Sequence, residues 1–141
     1  MPRPTFALVA PTDSEHELQC NCTIMLYRIL LPGVVWTAID HAHSLNMTPG
    51  RNGRPIGLME AAKRKRRGVK PGIPDYQFFY HAGAFFIEMK EDASSPLSDD
   101  QVGYLTGLIE NGFEVKICWT VTQVFDTVVG WGLTRPMSVR A

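Results

Sequence analysis

The chain has 141 residues, 45% of them hydrophobic and 20% charged, with no formal net charge. That is enough for one domain around one core, and the composition is that of a folded chain rather than a disordered one. No apolar run reaches the roughly 18 residues of a membrane helix, and the first residues lack the apolar stretch of about 7–15 residues found in a signal peptide, so a cytoplasmic protein is expected.

Thr12-Asp13-Ser14-Glu15 has the spacing of a capping box. It predicts a helix from about Asp13 to Leu30, with Leu18, Cys22, Met25, Leu26 and Ile29 on one face. The three cysteines, Cys20, Cys22 and Cys118, form no disulfide framework and read as buried thiols. Cys20 and Cys22 are two apart on a helix and point away from each other, which is not zinc-ligand spacing. Pro32-Gly33 ends the helix, and Val34 to Ile39 is a first strand. A loop rich in Asn, Gly and Pro follows, from Asp40 to Gly53. Its His41-Ala42-His43 reads as a loop feature rather than a metal pair. Pro55 suits the first position of a second helix that ends near Gly68.

The neutral average hides an asymmetry. Between Arg51 and Lys70 stand eight cations, Arg51, Arg54, Lys63, Arg64, Lys65, Arg66, Arg67 and Lys70, opposed only by Glu60. Lys63 to Arg67 are consecutive. Like charges at neighbouring helical positions repel by a few tenths of a kcal/mol per pair, and a nucleic-acid backbone would offset that. The plainer alternative is a solvated helix face.

Turn chemistry from Gly68 to Pro74 leads into two apolar runs, Tyr76 to Tyr80 and Ala84 to Lys90, which read as a β-hairpin. Side chains alternate faces, so Phe86, Glu88 and Lys90 share one face. A two-residue turn at Ala82-Gly83, or a four-residue loop from His81 to Ala84, pairs Asp75 with Lys90 and Gln77 with Glu88. Asp75, Glu88 and Lys90 then converge. A three-residue loop sets Asp75 against Met89 and breaks the set unless a bulge restores it. Two acids and a lysine together suit a hard divalent cation beside an ordered water, and hence metal-assisted phosphodiester hydrolysis.

Ser95-Pro96-Leu97-Ser98 announces a third helix, roughly Ser98 to Glu110, capped by Asn111-Gly112. Phe113 to Trp119 is a fourth strand and Thr122 to Val129 a last helix. The tail from Gly130 shows no periodicity, so the core is expected over about 12–129 of a single domain spanning 1–141. The order α-β-α-β-β-α-β-α implies an α/β fold, a mixed central β-sheet flanked by helices. The helix after Lys90 allows the strand at Phe113 to lie parallel to the one at Ala84.

Pro74-Asp75 followed by Glu88-Met89-Lys90 resembles the PD-(D/E)XK nuclease pattern. The longer set looks like its VRR-NUC branch: Gly72-Ile73-Pro74-Asp75, Phe86 to Lys90, Gln101 opening a helix, and Glu15 to Gln19 upstream. The resemblance runs from about Glu15 to Val129. The family's asparagine-containing loop matches either Asn46 or Asn52. The resemblance implies a restriction-endonuclease-like core and a Mg²⁺-dependent endonuclease, with Mn²⁺ substituting. It implies Asp75 and Glu88 as metal ligands with the Met89 carbonyl, and Lys90, Gln101 and Glu15 as further catalytic residues. It also implies a homodimer acting on branched DNA such as a Holliday junction, in a bacterial or phage-infected cell. Glu15 reads equally as a cap residue, with Glu17 as the fallback acid and Gln19 placed to orient Glu15. Gln101, three residues after Ser98, is also a capping-box residue. Tyr76 and Tyr104 read as packing residues before base-stacking ones. The alternative from another class is a non-catalytic DNA-binding or assembly subunit. A hydrolase of a small phosphoester is a third reading, which the number of cations disfavours.

Overall fold

A computed structural model describes residues 15–39, 49–53 and 56–136. Arg54, Pro55, His41, His43, Asn46 and the Thr12–Ser14 part of the first capping box lie outside them. The element order is α1 (Glu15–Ile29), β1 (Val35–Ala38), α2 (Ile56–Arg66), β2 (Tyr76–Tyr80), β3 (Gly83–Met89), α3 (Asp99–Glu110), β4 (Glu114–Cys118) and α4 (Val121–Gly130). This is the expected α/β order.

The strands form one mixed sheet in the order β1-β2-β3-β4. β1 and β3 each run antiparallel to β2, while β4 runs parallel to β3. Only a crossover can join parallel neighbours, and α3 supplies it.

Cys22, Met25, Leu26 and Ile29 are the buried face of α1, at the 3, 4 and 7 spacings of a helical stripe. They meet Tyr76, Phe78, Ile87 and Met89 of the sheet and Val124 and Val128 of α4. Burying such side chains contributes roughly 1.5–3 kcal/mol each, which fixes this face of the sheet inward. Asp75, Gln77, Phe86 and Glu88 alternate with these residues and so belong to the opposite face. α3 covers that second face, where its Gln101 bonds to Glu88 and Lys90. Helices therefore lie on both faces of the sheet.

The hairpin turn is neither Ala82-Gly83 nor a longer loop. Tyr80 pairs with Gly83, Phe78 with Phe85 and Tyr76 with Ile87, so His81 and Ala82 form the turn. Both have positive φ, 46° and 61°, as a type I′ turn requires. One step beyond Tyr76–Ile87, this register sets Asp75 across from Glu88 rather than Lys90. The shift is two residues, an even number, so each side chain keeps its expected face.

The segment after Gly130 also departs from expectation. Leu133 is fully buried in the core. Leu31 N–H donates to the Leu133 carbonyl at 2.9 Å and Arg135 N–H to the Ile29 carbonyl at 2.8 Å. The core thus extends past Val129, because an isolated apolar residue can anchor a segment without periodicity. Among the cysteines, Cys22 and Cys118 are buried but Cys20 is exposed. Burial pushes the Cys22 thiol up to about 12.

Candidate metal centre

Three elements meet on the α3 side of the sheet. Asp75 stands at the entry to β2, Glu88 near the end of β3 with Lys90 just past it, and Gln101 in the first turn of α3. Asp75 and Glu88 are the buried charged residues among those described, 4% and 2% exposed. Carboxylates this deep are unusual unless paired or bound to a metal.

Asp75 Oδ2 accepts the backbone N–H of Met89 at 2.7 Å. That bond crosses the hairpin and holds the acid against the end of β3. Gln101 Nε2 donates to Glu88 Oε1 at 2.7 Å. Lys90 Nζ donates to Gln101 Oε1 at 2.9 Å and lies 3.8 Å from Glu88 Oε1. Gln101 Oε1 also accepts from Ser98 N–H at 3.0 Å, while Gln101 N–H donates to Ser98 Oγ at 3.2 Å. Gln101 is therefore both the capping-box residue of α3 and the bridge between Glu88 and Lys90. The two readings do not compete. With two donors at its oxygen, the amide can only present nitrogen to Glu88.

Glu88 Oε2 is buried and has no hydrogen-bond donor. Burial pushes the Glu88 carboxyl up to about 8, and the charge of Asp75 and a side-chain hydrogen bond between the two acids add to the rise. Lys90 pulls the other way without cancelling it, and Glu15 adds a small further rise. Two acids this close cannot both ionise cheaply without a cation. The donor set suits a hard divalent ion: two carboxylates, with remaining positions for a backbone oxygen, water and substrate phosphate. No group of three His, Cys, Asp or Glu side chains able to hold an ion occurs among the described residues; the backbone of Met89 is adjacent to both acids.

The first-helix acids stand further out. Glu15 and Glu17 are exposed in the first turn of α1, and Glu15 reaches the centre only through its charge on Glu88. Gln19 contributes its backbone carbonyl, which accepts from Tyr76 Oη at 2.8 Å. Tyr76 is fully buried and also bonded to Thr23 at 2.8 Å, a packing role. Tyr104 is half-buried on α3.

Of the cations, Arg51, Lys63, Lys65, Arg66, Arg67 and Lys70 are exposed and Arg64 half-buried. No described side chain of α2 is buried. Lys63 pairs with Glu60 at 3.4 Å. Lys63 to Arg66 fill the last turn of α2, where the helix dipole favours positive charge by about 0.3–1 kcal/mol. The dipole thus offsets part of the repulsion that the sequence alone assigned to a partner. Gly72, legible in the sequence as turn chemistry and as the first residue of the Gly72-Ile73-Pro74-Asp75 run, has its α-carbon facing the backbone of Asp100 and Gln101.

No family model matches the chain, and no curated protein does. Two solved structures are similar. A "VRR_NUC domain protein" is 23% identical with a TM-score of 0.56, over 86% of this chain and 90% of that one. A "VRR_NUC domain" is 15% identical with a TM-score of 0.49, over 82% of this chain and 94% of that one. Among the described residues no helix is long and apolar enough to cross a membrane. At 23% identity the first likeness shows the fold: the chain shares the architecture of a solved VRR_NUC domain protein across most of both chains.

Proposed function

We propose that this chain belongs to the VRR-NUC branch of the PD-(D/E)XK nucleases and is a divalent-metal-dependent DNA endonuclease. The observation that carries the proposal is Glu88 Oε2, a buried carboxylate oxygen with no donor, set beside a second buried acid and a lysine. Without a metal the two buried acids can be accommodated only by sharing a proton, whereas a divalent cation would let both ionise. The shared architecture supports the reading.

Asp75, Glu88 and the Met89 carbonyl are the residues that would hold Mg²⁺, and Mn²⁺ would substitute. The ion would supply Lewis-acid charge beside the scissile phosphate. Met89 N–H orients Asp75, and Gln101 orients Glu88. Gln101 also restrains Lys90, whose ammonium positions the attacking water or steadies the negative charge on the phosphoryl oxygens. Glu15 acts at longer range through its charge. Arg51, Lys63, Arg64, Lys65, Arg66, Arg67 and Lys70, with Arg54, grip the DNA backbone. Such contacts set affinity and register without reading sequence.

The substrate proposed is branched DNA, with a homodimer placing two centres on a two-fold junction. Cleavage of linear, forked and four-way DNA, with Mg²⁺ and with chelator, tests the whole reading. Metal-dependent cleavage of the four-way substrate in preference to linear duplex is expected. Tight DNA binding with no cleavage under any divalent ion would reassign the chain to a non-catalytic binding role.

A further inference from the structure

We infer that Gly72 is the positioning residue that locks the two halves of the metal centre together; this rests on the proposed metal site. Gly72 has φ +83°. A β-carbon built there would lie 2.3 Å from the Asp100 carbonyl oxygen, 2.5 Å from its carbon and 2.8 Å from Gln101 N. All three are backbone atoms of the first turn of α3, so no flexible side chain can move aside. The loop before β2 therefore rests directly on the residue whose side chain holds Glu88 and Lys90.

The contacts close a ring. Gly72 touches Gln101, Gln101 bonds Glu88, Met89 follows Glu88 and donates to Asp75. Asp75 lies three residues after Gly72, with fully buried Pro74 between them. Because Pro74 is fully buried, the loop has little slack. A side chain at 72 pushes the first turn of α3 off the loop, and the bond from Gln101 to Glu88 is the one that opens.

Gly112 supplies the control. It has nearly the same φ, +85°, at the other end of α3, and open space where its β-carbon would be. Alanine at either position carries the same left-handed backbone strain. Only at 72 does it also collide.

The experiment compares wild type, Gly72→Ala and Gly112→Ala as full chains. In metal-free protein the Gln101 side-chain amide resonances, assigned by their loss in Gln101→Ala, report the bond to Glu88. Mn²⁺ titration then reports the site. Gly72→Ala is expected to shift the Gln101 amide and weaken Mn²⁺ binding at least tenfold, whereas Gly112→Ala loses thermal stability and leaves both unchanged. Equal Gln101 resonances and equal Mn²⁺ affinity in the two variants would overturn the inference. If Gly72→Ala does not fold, Gly72→Asn takes its place, since asparagine tolerates left-handed backbone and brings the same β-carbon. Failure of both to fold, with Gly112→Ala folded, would make the contact a requirement of the fold and overturn the positioning role. A wild type that takes up no Mn²⁺ would sink the proposed function, and the amide resonances would still decide the ring.

Discussion

Gln101 Nε2 donates to Glu88 Oε1 across 2.7 Å, and that bond ties the N-terminus of α3 to the end of β3. It leaves Glu88 with one oxygen oriented and the other open.

Asp75→Asn and Glu88→Gln should each abolish Mg²⁺-dependent cleavage while the protein stays folded. Each amide keeps the shape and an oxygen acceptor but loses the charge that a divalent ion needs. Asn at 75 can still accept from Met89 N–H. Cleavage assays read beside circular dichroism check this. Full Mg²⁺-dependent activity in Asp75→Asn would mean the ion sits elsewhere.

Metal-free protein should lose stability as pH rises from about 4.5 to about 8. Glu88 is raised in the folded state, so between those values the folded chain holds a proton that the unfolded chain has released. The unfolded state then binds fewer protons, and stability falls with pH. The slope for one such group approaches about 1.4 kcal/mol per pH unit. Denaturant titrations in chelator should show this slope for wild type and its absence in Glu88→Gln. Parallel profiles for the two proteins would mean that Glu88 titrates as an ordinary carboxyl.

Lys90→Ala should retain metal and DNA binding and lose about 10²–10⁴-fold in cleavage rate, the usual worth of a positioned acid–base group. Isothermal titration of Mn²⁺ separates the roles. A loss of affinity as large as that of Glu88→Ala would make Lys90 an organiser of the site alone.

Replacing Lys63, Arg64, Arg66 and Arg67 by Gln should weaken DNA binding without changing which DNA structure is preferred. With four phosphate contacts removed, the slope of log affinity against log salt should flatten by about 3–4 units, at roughly 0.9 per phosphate. Loss of Arg51 and Arg54 should instead blunt discrimination between four-way and linear DNA. An unchanged salt slope in the quadruple variant would leave the cations as a solvated helix end serving the dipole.

Much of the architecture was legible because strong local signals carried it. Ser98 and Gln101 spell a capping box and the structure has one; the apolar stripe of α1 falls at helical spacing. What the residues could not reveal is set by contacts far apart in sequence. Local sequence points to a turn at Ala82-Gly83 or a loop from His81 to Ala84, yet the sheet places the turn on His81 and Ala82. Facing alone does not decide: a two-residue shift keeps Phe78 and Ile87 inward in either register, so what separates the two is which residues stand opposite each other, Tyr76 with Ile87 and Phe78 with Phe85. The double duty of Gln101 was open for the same reason, since its cap is local and its bond to Glu88 spans the crossover. The burial of Leu133 leaves no mark in the sequence because one buried residue has no period.

That turn also bears on how the chain reaches its structure. Two non-glycine residues in left-handed backbone cost roughly 1–2 kcal/mol each, so the hairpin is a poor nucleus when isolated. The expectation is that α1 and α4 gather first and recruit its strands, so that the turn closes late. Ala82→Gly, which relieves half of that cost, is then expected to slow unfolding and leave the folding rate unchanged. Stopped-flow folding in both directions reads this, and faster folding in the variant would make the hairpin an early seed.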